Sequence, residues 1–293
     1  MSLLGIAAAV AVLWPAELKL EAMPARESAQ FTSSVNLVEV YASVVEDGSG
    51  EPVRGLPQED FEILEDGQPQ TITAFSAGDF PLTAALALDA SFSMAGPPLT
   101  RVKSAARAFL NALSPSDEAV TVGIGSEASV LASASTNKAA HLDAVDGLSA
   151  WGTTPLHDAI IASIAAVDAS RGRRALVILS DGDDRYSDAA AADAVERARR
   201  SNVIVYPVAL GTLRPPLFAE LATLTGGRSF HAPGLSGLDG MLTMIVAQLR
   251  EQYLLGYSPG RQPVAGSNEW RSITVRVKKP GVSIRARDGY YVR

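Results

Sequence analysis

The sequence predicts an α/β protein: a doubly wound, mostly parallel sheet with helices on both faces, inserted in a small β-sandwich formed by the N- and C-terminal segments. Three observations lead to this fold class. Apolar, strand-length runs alternate with amphipathic helices between residues 82 and 250. Stretches of period two lie on both sides of that region, and the two flanking segments carry opposite charge. Alternation of strands and helices is typical of a parallel sheet covered on both faces.

The central region, predicted to be one domain over residues 81–250, contains several near-continuous apolar runs. Such runs are expected for strands that helices cover on both sides. The predicted strands are 82–88, 118–124, 128–133, 174–180 and 202–208, with a weaker one near 228–232. The first helix, which contains Val102, Phe109 and Leu113, and the last, over residues 236–250, each have one apolar face.

The flanking segments, residues 31–80 and 251–293, are predicted to be short strands. Asp66-Gly67 between two apolar runs is a hairpin signal. The first segment carries ten acidic side chains against one arginine, and the second carries eight basic against three acidic. Neither has enough strands for a core of its own, so we expect them to pair into one sandwich, with their opposite charges favouring the pairing. The alternative is that these charges only solvate exposed faces and edge strands.

The composition suits a folded protein with a sizeable core. The chain has 293 residues, of which 47% are hydrophobic and 19% charged. A net charge of −7 argues against nonspecific binding to nucleic acid. The absence of cysteine excludes disulfides and thiolate metal sites, and three scattered histidines argue against a histidine zinc site.

Residues 1–30 are predicted to be a signal-like or disordered N-terminus. The apolar run over residues 3–13 is too short to cross a bilayer, so no transmembrane span is predicted. Its length suits the hydrophobic region of a signal peptide, although no lysine or arginine precedes it. The interpretation is export to the periplasm or the exterior through an atypical or truncated signal peptide, with a cytoplasmic location as the alternative.

Five oxygen-bearing side chains lie where ligands bind in such a sheet. Asp89 and Asp181 each follow a buried strand, Ser91 and Ser93 come just after Asp89, and Thr154 precedes an apolar helix. The carboxyl ends of parallel strands are the usual ligand-binding edge. Carboxylates and hydroxyls are hard donors that favour Mg²⁺ or Mn²⁺, with Ca²⁺ as a further candidate. A metal with an open position would then bind the Asp or Glu carboxylate of a protein partner.

Simpler roles exist for several residues in these loops. Ser91, Ser93 and Thr154 are also suited to cap the helices that follow them, and capping is compatible with metal binding. Phe92 and Met94 flank the site and could form an apolar rim for a partner, or Phe92 could pack inward. Asp183 and Asp184 are interpreted chiefly as solvated loop acids.

The arrangement Asp89-x-Ser91-x-Ser93, Thr154 and Asp181 resembles, in order and spacing, the metal-ion-dependent adhesion site of von Willebrand factor A (VWA) domains. The flanking segments extend the resemblance to a bacterial VWA-related family of predicted exported proteins, through residues 53–67, 252–259 and 287–291. The resemblance implies a Rossmann-like fold, a divalent metal on the five residues, and a non-enzymatic binding or adhesion module that captures an acidic residue of a partner.

Two other functions stay open at this level. The chain could be a subunit of a larger assembly engaged through the same site, as in chelatase-type relatives. A metal-assisted hydrolase that uses Ser91, His157 and Asp181 is less favoured, because Ser91 is not in a G-x-S-x-G elbow and His157 has no evident orienting acid. The partner and the oligomeric state are not determined by the sequence.

Overall fold

The computed structural model describes residues 37–78, 80–170, 172–261 and 268–292. The predictions on residues 1–30, including the signal peptide, lie outside these ranges. Among the described residues, no helix has both the length and the apolar character needed to cross a membrane.

The described residues contain strands and helices in the order that the hydrophobic pattern predicts. The strands are β1 (Val38–Glu46), β2 (Phe61–Glu65), β3 (Gln68–Gln70), β4 (Ile72–Ala77), β5 (Leu82–Asp89), β6 (Glu118–Ile124), β7 (Ala128–Ser135), β8 (Arg173–Ser180), β9 (Val203–Leu210), β10 (Phe230–Ala232), β11 (Gln252–Tyr257), β12 (Trp270–Val277), β13 (Val282–Arg285) and β14 (Gly289–Tyr291). The α-helices are α1 (Pro97–Ala112), α2 (Lys138–Gly147), α3 (Leu156–Asp168), α4 (Ala191–Arg200), α5 (Pro216–Thr225) and α6 (Leu238–Arg250).

The central sheet has six strands in the order β10-β9-β8-β5-β6-β7. Every neighbouring pair except β6–β7 is parallel, which confirms the predicted fold class. Strand β7 differs from its prediction as a buried strand: it is an antiparallel edge strand, and Val130 and Leu131 are exposed. A tight turn, in which Gly125 N donates to Glu127 O, returns the chain beside β6, and among the described strands β7 pairs with β6 alone.

Alternate residues of the central strands enter two cores, one on each face of the sheet. In β5, Leu86 and Leu88 pack with α1 and α6, whereas Ala85 and Ala87 pack with α3, α4 and α5. All four side chains are fully buried. A strand covered on both faces has no polar side, so its whole length is apolar until it reaches the sheet edge.

Two four-stranded sheets form the sandwich, in the orders β13-β1-β11-β4 and β14-β12-β2-β3. Each sheet combines strands from both ends of the chain, as predicted: β1 pairs with β11, and β2 pairs with β12. The hairpin at Asp66-Gly67 joins β2 to β3, with both turn residues at positive φ. The inner faces of the two sheets share one hydrophobic core. The residue bounds given above for the domains remain predictions.

Opposite charges from the two ends of the chain pair within one sheet of the sandwich, where β2 lies beside β12. Arg271 of β12 is 1% exposed and lies 3.1 Å from the carboxylate of Glu65, which is 5% exposed. For this pair the solvated-face alternative is wrong, because both side chains are buried. Two exposed pairs repeat the pattern: Glu62–Arg276 at 3.6 Å and Asp66–Arg261 at 3.3 Å.

The sandwich adjoins the end of the central sheet where the parallel strands begin. Arg173, the first residue of β8, donates its side chain to Phe80 O at 2.9 Å, and the Phe80 ring packs against Tyr41 of β1. Gln248 of α6 accepts a hydrogen bond from Arg285 of β13. The carboxyl ends of the same strands therefore lie at the edge away from the sandwich.

A candidate metal site at the carboxyl edge of the sheet

The two predicted acidic ligands come from neighbouring strands. Strands β5 and β8 are adjacent and parallel, with Leu88 opposite Leu179. Asp89 is the last residue of β5 and Asp181 directly follows β8. Because both strands run in the same direction, both carboxylates reach the same edge of the sheet.

The two serines lie on one short turn after β5. Ser91 is extended, and residues Phe92–Met94 form a single 3₁₀ turn. The turn keeps the two hydroxyls together: Ser91 Oγ lies 3.0 Å from Ser93 Oγ. Ser93 Oγ in turn donates to Asp181 Oδ2 at 2.7 Å. Three predicted ligands are therefore joined in one chain of oxygen atoms.

Asp89 lies behind this chain and is fully buried. Its Oδ1 accepts the backbone N–H of Ser91 at 2.9 Å, and its Oδ2 accepts the hydroxyl of Ser180 at 2.7 Å. Burial raises the pKa of Asp89, the hydrogen bonds from Ser91 and Ser180 oppose that rise, and the nearby Asp181 adds to it. Ser180 was missed by the sequence analysis, although a polar residue at the end of an otherwise apolar strand is a visible signal.

Thr154 comes from a third loop and is 3% exposed. Its carbonyl accepts hydrogen bonds from Leu156 N at 2.8 Å and from Arg185 N at 2.7 Å, which ties this loop to the one that follows β8. A cleft of about 350 Å³ opens over these loops. It is lined by Ser91, Phe92, Ser93, Gly152, Thr153, Thr154, Asp181, Asp183 and Arg185.

The hydroxyls of the site do not cap the helices. Helix α1 begins after Gly96 and α3 after Pro155, and neither of these two N-cap residues makes a side-chain capping bond. Asp184, predicted to be a solvated loop acid, takes this role for α3: its Oδ1 accepts Leu156 N at 2.8 Å and His157 N at 3.2 Å. The capping interpretation is therefore wrong for the hydroxyls, which are left to face the cleft.

The rim of the cleft combines an aromatic ring and a cation. Phe92 is 68% exposed, in line with its prediction as a rim residue. Met94 is buried in the core beside α1, so its prediction as a rim residue is wrong. Arg185 lies at the cleft with its guanidinium 2.7 Å from the carboxylate of Asp183.

The residues of the hydrolase alternative do not form a triad. His157 Nδ1 lies 3.1 Å from Ala189 O and 3.7 Å from Asp184 Oδ2, so its ring contacts the loop beyond β8. Ser91 Oγ contacts Ser93, and the hydroxyl that reaches Asp181 belongs to Ser93. Among these described residues, His157 therefore makes no hydrogen bond to Ser91 or to Asp181, as a catalytic triad would require.

The donor set fits a hard divalent cation. Adjacent oxygens of an octahedral Mg²⁺ site with bonds of about 2.1 Å lie about 3 Å apart. The oxygen separations of 3.0 Å (Ser91–Ser93) and 2.7 Å (Ser93–Asp181) match that spacing. Within the described residues no cluster of three or more His, Cys, Asp or Glu side chains could hold a metal, so an ion bound here would need hydroxyl donors as well.

Comparison with known proteins identifies the central domain. Residues 84–183 match the family model of the von Willebrand factor type A domain. With the fold described above, the chain therefore contains a domain of that family. Domains of this family bind a divalent metal at the metal-ion-dependent adhesion site and are in general interaction modules rather than enzymes.

Solved structures share the fold at low sequence identity. A von Willebrand factor type A protein from Catenulispora acidiphila is 13% identical over 79% of this chain and 73% of its own, with a TM-score of 0.54. Proximal thread matrix protein 1 from the mussel byssus, with a zinc-occupied adhesion-site motif, is 14% identical over 64% of this chain and 50% of its own, with a TM-score of 0.53. A search of curated proteins finds no match to the sequence.

Proposed function

We propose that this protein is a metal-dependent binding module: the five oxygen side chains of Asp89, Ser91, Ser93, Thr154 and Asp181 hold a divalent cation, which captures an Asp or Glu carboxylate of a protein partner. The observation that carries the proposal is the continuous chain of Ser91, Ser93 and Asp181 oxygens, which lines an open cleft at the carboxyl edge of the sheet.

A bound cation would supply positive charge for an incoming carboxylate. The protein residues would balance part of that charge and determine which side of the cation is open to a partner. Two carboxylates balance a divalent ion, while the three hydroxyls add donors without adding charge. Asp89 is buried behind the serines, so its negative charge acts from the protein side. The open side of the cleft is then the place where a partner carboxylate binds. Mg²⁺ is the preferred ion for this donor set, with Mn²⁺ and Ca²⁺ as alternatives.

The rim offers polar and apolar contacts to a partner. Arg185 lies beside the cleft in an ion pair with Asp183, and Phe92 offers an exposed apolar contact. An exposed aromatic ring beside a charged site is a common arrangement in protein interfaces. A chelatase-type assembly would use the same site, and we propose the exported binding module because of the signal-like apolar run over residues 3–13.

The test is calorimetric titration of Mg²⁺ and of Mn²⁺ into metal-free protein, with Asp89→Ala and a matched control, Asp143→Ala, on the exposed face of α2. We expect saturable one-site binding in the wild type and in Asp143→Ala, and none in Asp89→Ala. The metal-loaded protein is then titrated with peptides that contain a single Asp or Glu, paired with their Asn or Gln versions. Metal binding without any preference for the acidic peptides would refute the carboxylate half of the proposal, and equal metal binding by wild type and Asp89→Ala would refute the site.

A further inference from the structure

A second cleft, of about 470 Å³, lies at the amino ends of the parallel strands, whereas the candidate metal site lies at their carboxyl ends. One wall comes from α5 and the residues that lead into β10, and the other from β12, β13 and the chain that follows β13. Arg228, Arg285 and Arg287 line it, and we call it the arginine cleft.

The walls of the arginine cleft touch through their backbones. A Cβ atom on Gly226, which has φ +80°, would lie 2.6 Å from the carbonyl carbon of Ala286. Asp288 N donates to Leu224 O at 3.1 Å, which joins the end of α5 to the same segment. Only glycine at position 226 permits the two backbones to lie this close at that φ, so the close packing of the two walls fixes the shape of the cleft.

Two of the three arginines lack an acidic partner. Within the part of the chain that the structure describes, neither Arg228 nor Arg285 has a carboxylate at ion-pair distance. Arg285 donates Nη2 to Gln248 Oε1 at 3.1 Å, and its buried Nε finds no hydrogen-bond partner among the same residues. The guanidinium of Arg228 lies 5.0 Å from the ring centre of Phe230. The acid in the cleft, Asp288, is close to Arg287 and Arg199.

The lining of the arginine cleft therefore has a local excess of positive charge, with three arginines against the single acid Asp288. Burial lowers the pKa of Arg285, the nearby Tyr206 opposes this change, and the neighbouring Arg228 adds to it, as expected for two cations close together. A partly buried cation is stabilised by a counter-charge with hydrogen-bond acceptors. Guanidinium groups match phosphate and sulfate oxygens in geometry, since both present paired sites.

We propose that the arginine cleft binds a tetrahedral oxyanion, the phosphate or sulfate group of a larger molecule, between Arg228 and Arg285. The cleft, at about 470 Å³, has room for many water molecules of about 30 Å³ each, and therefore for a ligand much larger than a phosphate or sulfate ion. The remaining space lies beside the hydroxyls of Ser229 and Thr274 and the apolar side chains of β12 and β13. A phosphorylated or sulfated polymer would offer both the oxyanion and further groups that contact these side chains.

The proposal gives the chain two anion-binding sites at opposite ends of the central sheet. The candidate metal site would bind a carboxylate through a cation, and the arginine cleft would bind an oxyanion directly. The second site needs no metal, so it does not depend on the function proposed above.

The experiment is calorimetric titration of inorganic phosphate, inorganic sulfate and polyphosphate into the full chain, with a chelator present and the ionic strength held constant with chloride. The variants are Arg228→Gln, Arg228→Lys and Arg285→Gln, with Arg101→Gln on the exposed face of α1 as the control. Circular dichroism and thermal unfolding establish which variants are folded. Asp89→Ala tests independence from the metal site.

We expect saturable phosphate and sulfate binding in the wild type, Arg101→Gln and Asp89→Ala. In Arg228→Gln it should weaken about tenfold or more, and in Arg228→Lys by less, because lysine keeps the charge but loses the paired donors. Polyphosphate that binds more tightly per site than phosphate identifies a polymer as the ligand source, and equal affinity identifies the free ion. No saturable binding, or equal binding by wild type and a folded Arg228→Gln variant, would overturn the proposal.

Discussion

Ser93 donates its hydroxyl hydrogen to Asp181 Oδ2 over 2.7 Å, although the two residues lie 88 positions apart in the chain. The bond joins the turn after β5 to the loop after β8. It also sets the spacing of two proposed metal ligands before any ion binds. Removing the Ser93 hydroxyl would therefore remove a donor and loosen the relation between two loops.

We expect Ser93→Ala and Thr154→Val each to weaken Mg²⁺ binding by at least about tenfold, because each removes one oxygen donor and leaves the fold in place. Calorimetric titration measures the affinity. Thr136→Val, at an exposed loop position, is the control and should bind like the wild type. Unchanged affinity in both site variants would mean that the metal does not use these hydroxyls.

Gly152 is predicted to be indispensable for the position of Thr154. Its φ is +70°, and a Cβ there would lie 2.2 Å from Ser126 N. Gly152→Ala must therefore move one of the two loops, so we expect a lower unfolding midpoint and weaker metal binding. Gly147→Ala is the control: it lies in α2 with open space around its Cβ, and alanine there should stabilise by about 0.5–1 kcal/mol. A Gly152→Ala protein as stable as the wild type would contradict the close contact.

Asp184 is predicted to act on the site through α3. Its carboxylate caps the helix that begins just after Thr154, with bonds to Leu156 N and His157 N. Asp184→Ala should cost about 1 kcal/mol of unfolding free energy, the usual effect of losing a capping residue. Asp183→Ala, whose carboxylate pairs with the exposed Arg185, is the neighbouring control and should change stability little. Urea unfolding compares the two, and equal losses would argue against a capping role for Asp184.

Sequence patterns predicted those features that depend on the order of residues along the chain, such as where a strand ends and which residue follows it. The apolar runs of β5 and β8 are followed by Asp89 and Asp181, and because the two strands are parallel neighbours, strand order alone places both carboxylates at one edge of the sheet. The role of Asp184 was not predictable in this way, since the capped helix starts 28 residues earlier and meets Asp184 only after the loops fold together. The direction of β7 was also not predictable from the sequence. Its apolar residues suggested a buried strand, but β7 runs antiparallel to β6 and exposes Val130 and Leu131.

The buried pair Glu65–Arg271 is predicted to hold the two ends of the chain together. Removing one member leaves an uncompensated charge among buried groups, so Arg271→Leu should cost roughly 3–5 kcal/mol of unfolding free energy. The exposed pair Glu62–Arg276 provides the control, and Arg276→Leu should cost less than about 1 kcal/mol. Urea unfolding measures both. Similar small losses in the two variants would show that the sandwich depends on its apolar core rather than on this ion pair.

The same carboxylate predicts how stability changes at alkaline pH. Tyr290 donates its hydroxyl to Glu65 at 2.8 Å, and burial together with this bond raises the pKa of Tyr290 to about 12. In the unfolded chain a tyrosine ionises near pH 10, so the folded state keeps the proton over a range in which the unfolded state loses it. The stabilisation is complete below about pH 10 and is lost as the pH rises through the folded-state value of about 12.

Tyr290→Phe should therefore show a shallower loss of stability over this interval than the wild type, measured by urea unfolding at a series of pH values. Tyr257 also donates to Glu65, at 2.7 Å, and burial raises its pKa too, so part of the alkaline loss remains in the single variant. Tyr186→Phe is the control, because Tyr186 is 83% exposed. If Tyr290→Phe and Tyr186→Phe lose stability along the same curve, Glu65 does not hold the Tyr290 proton in the folded state.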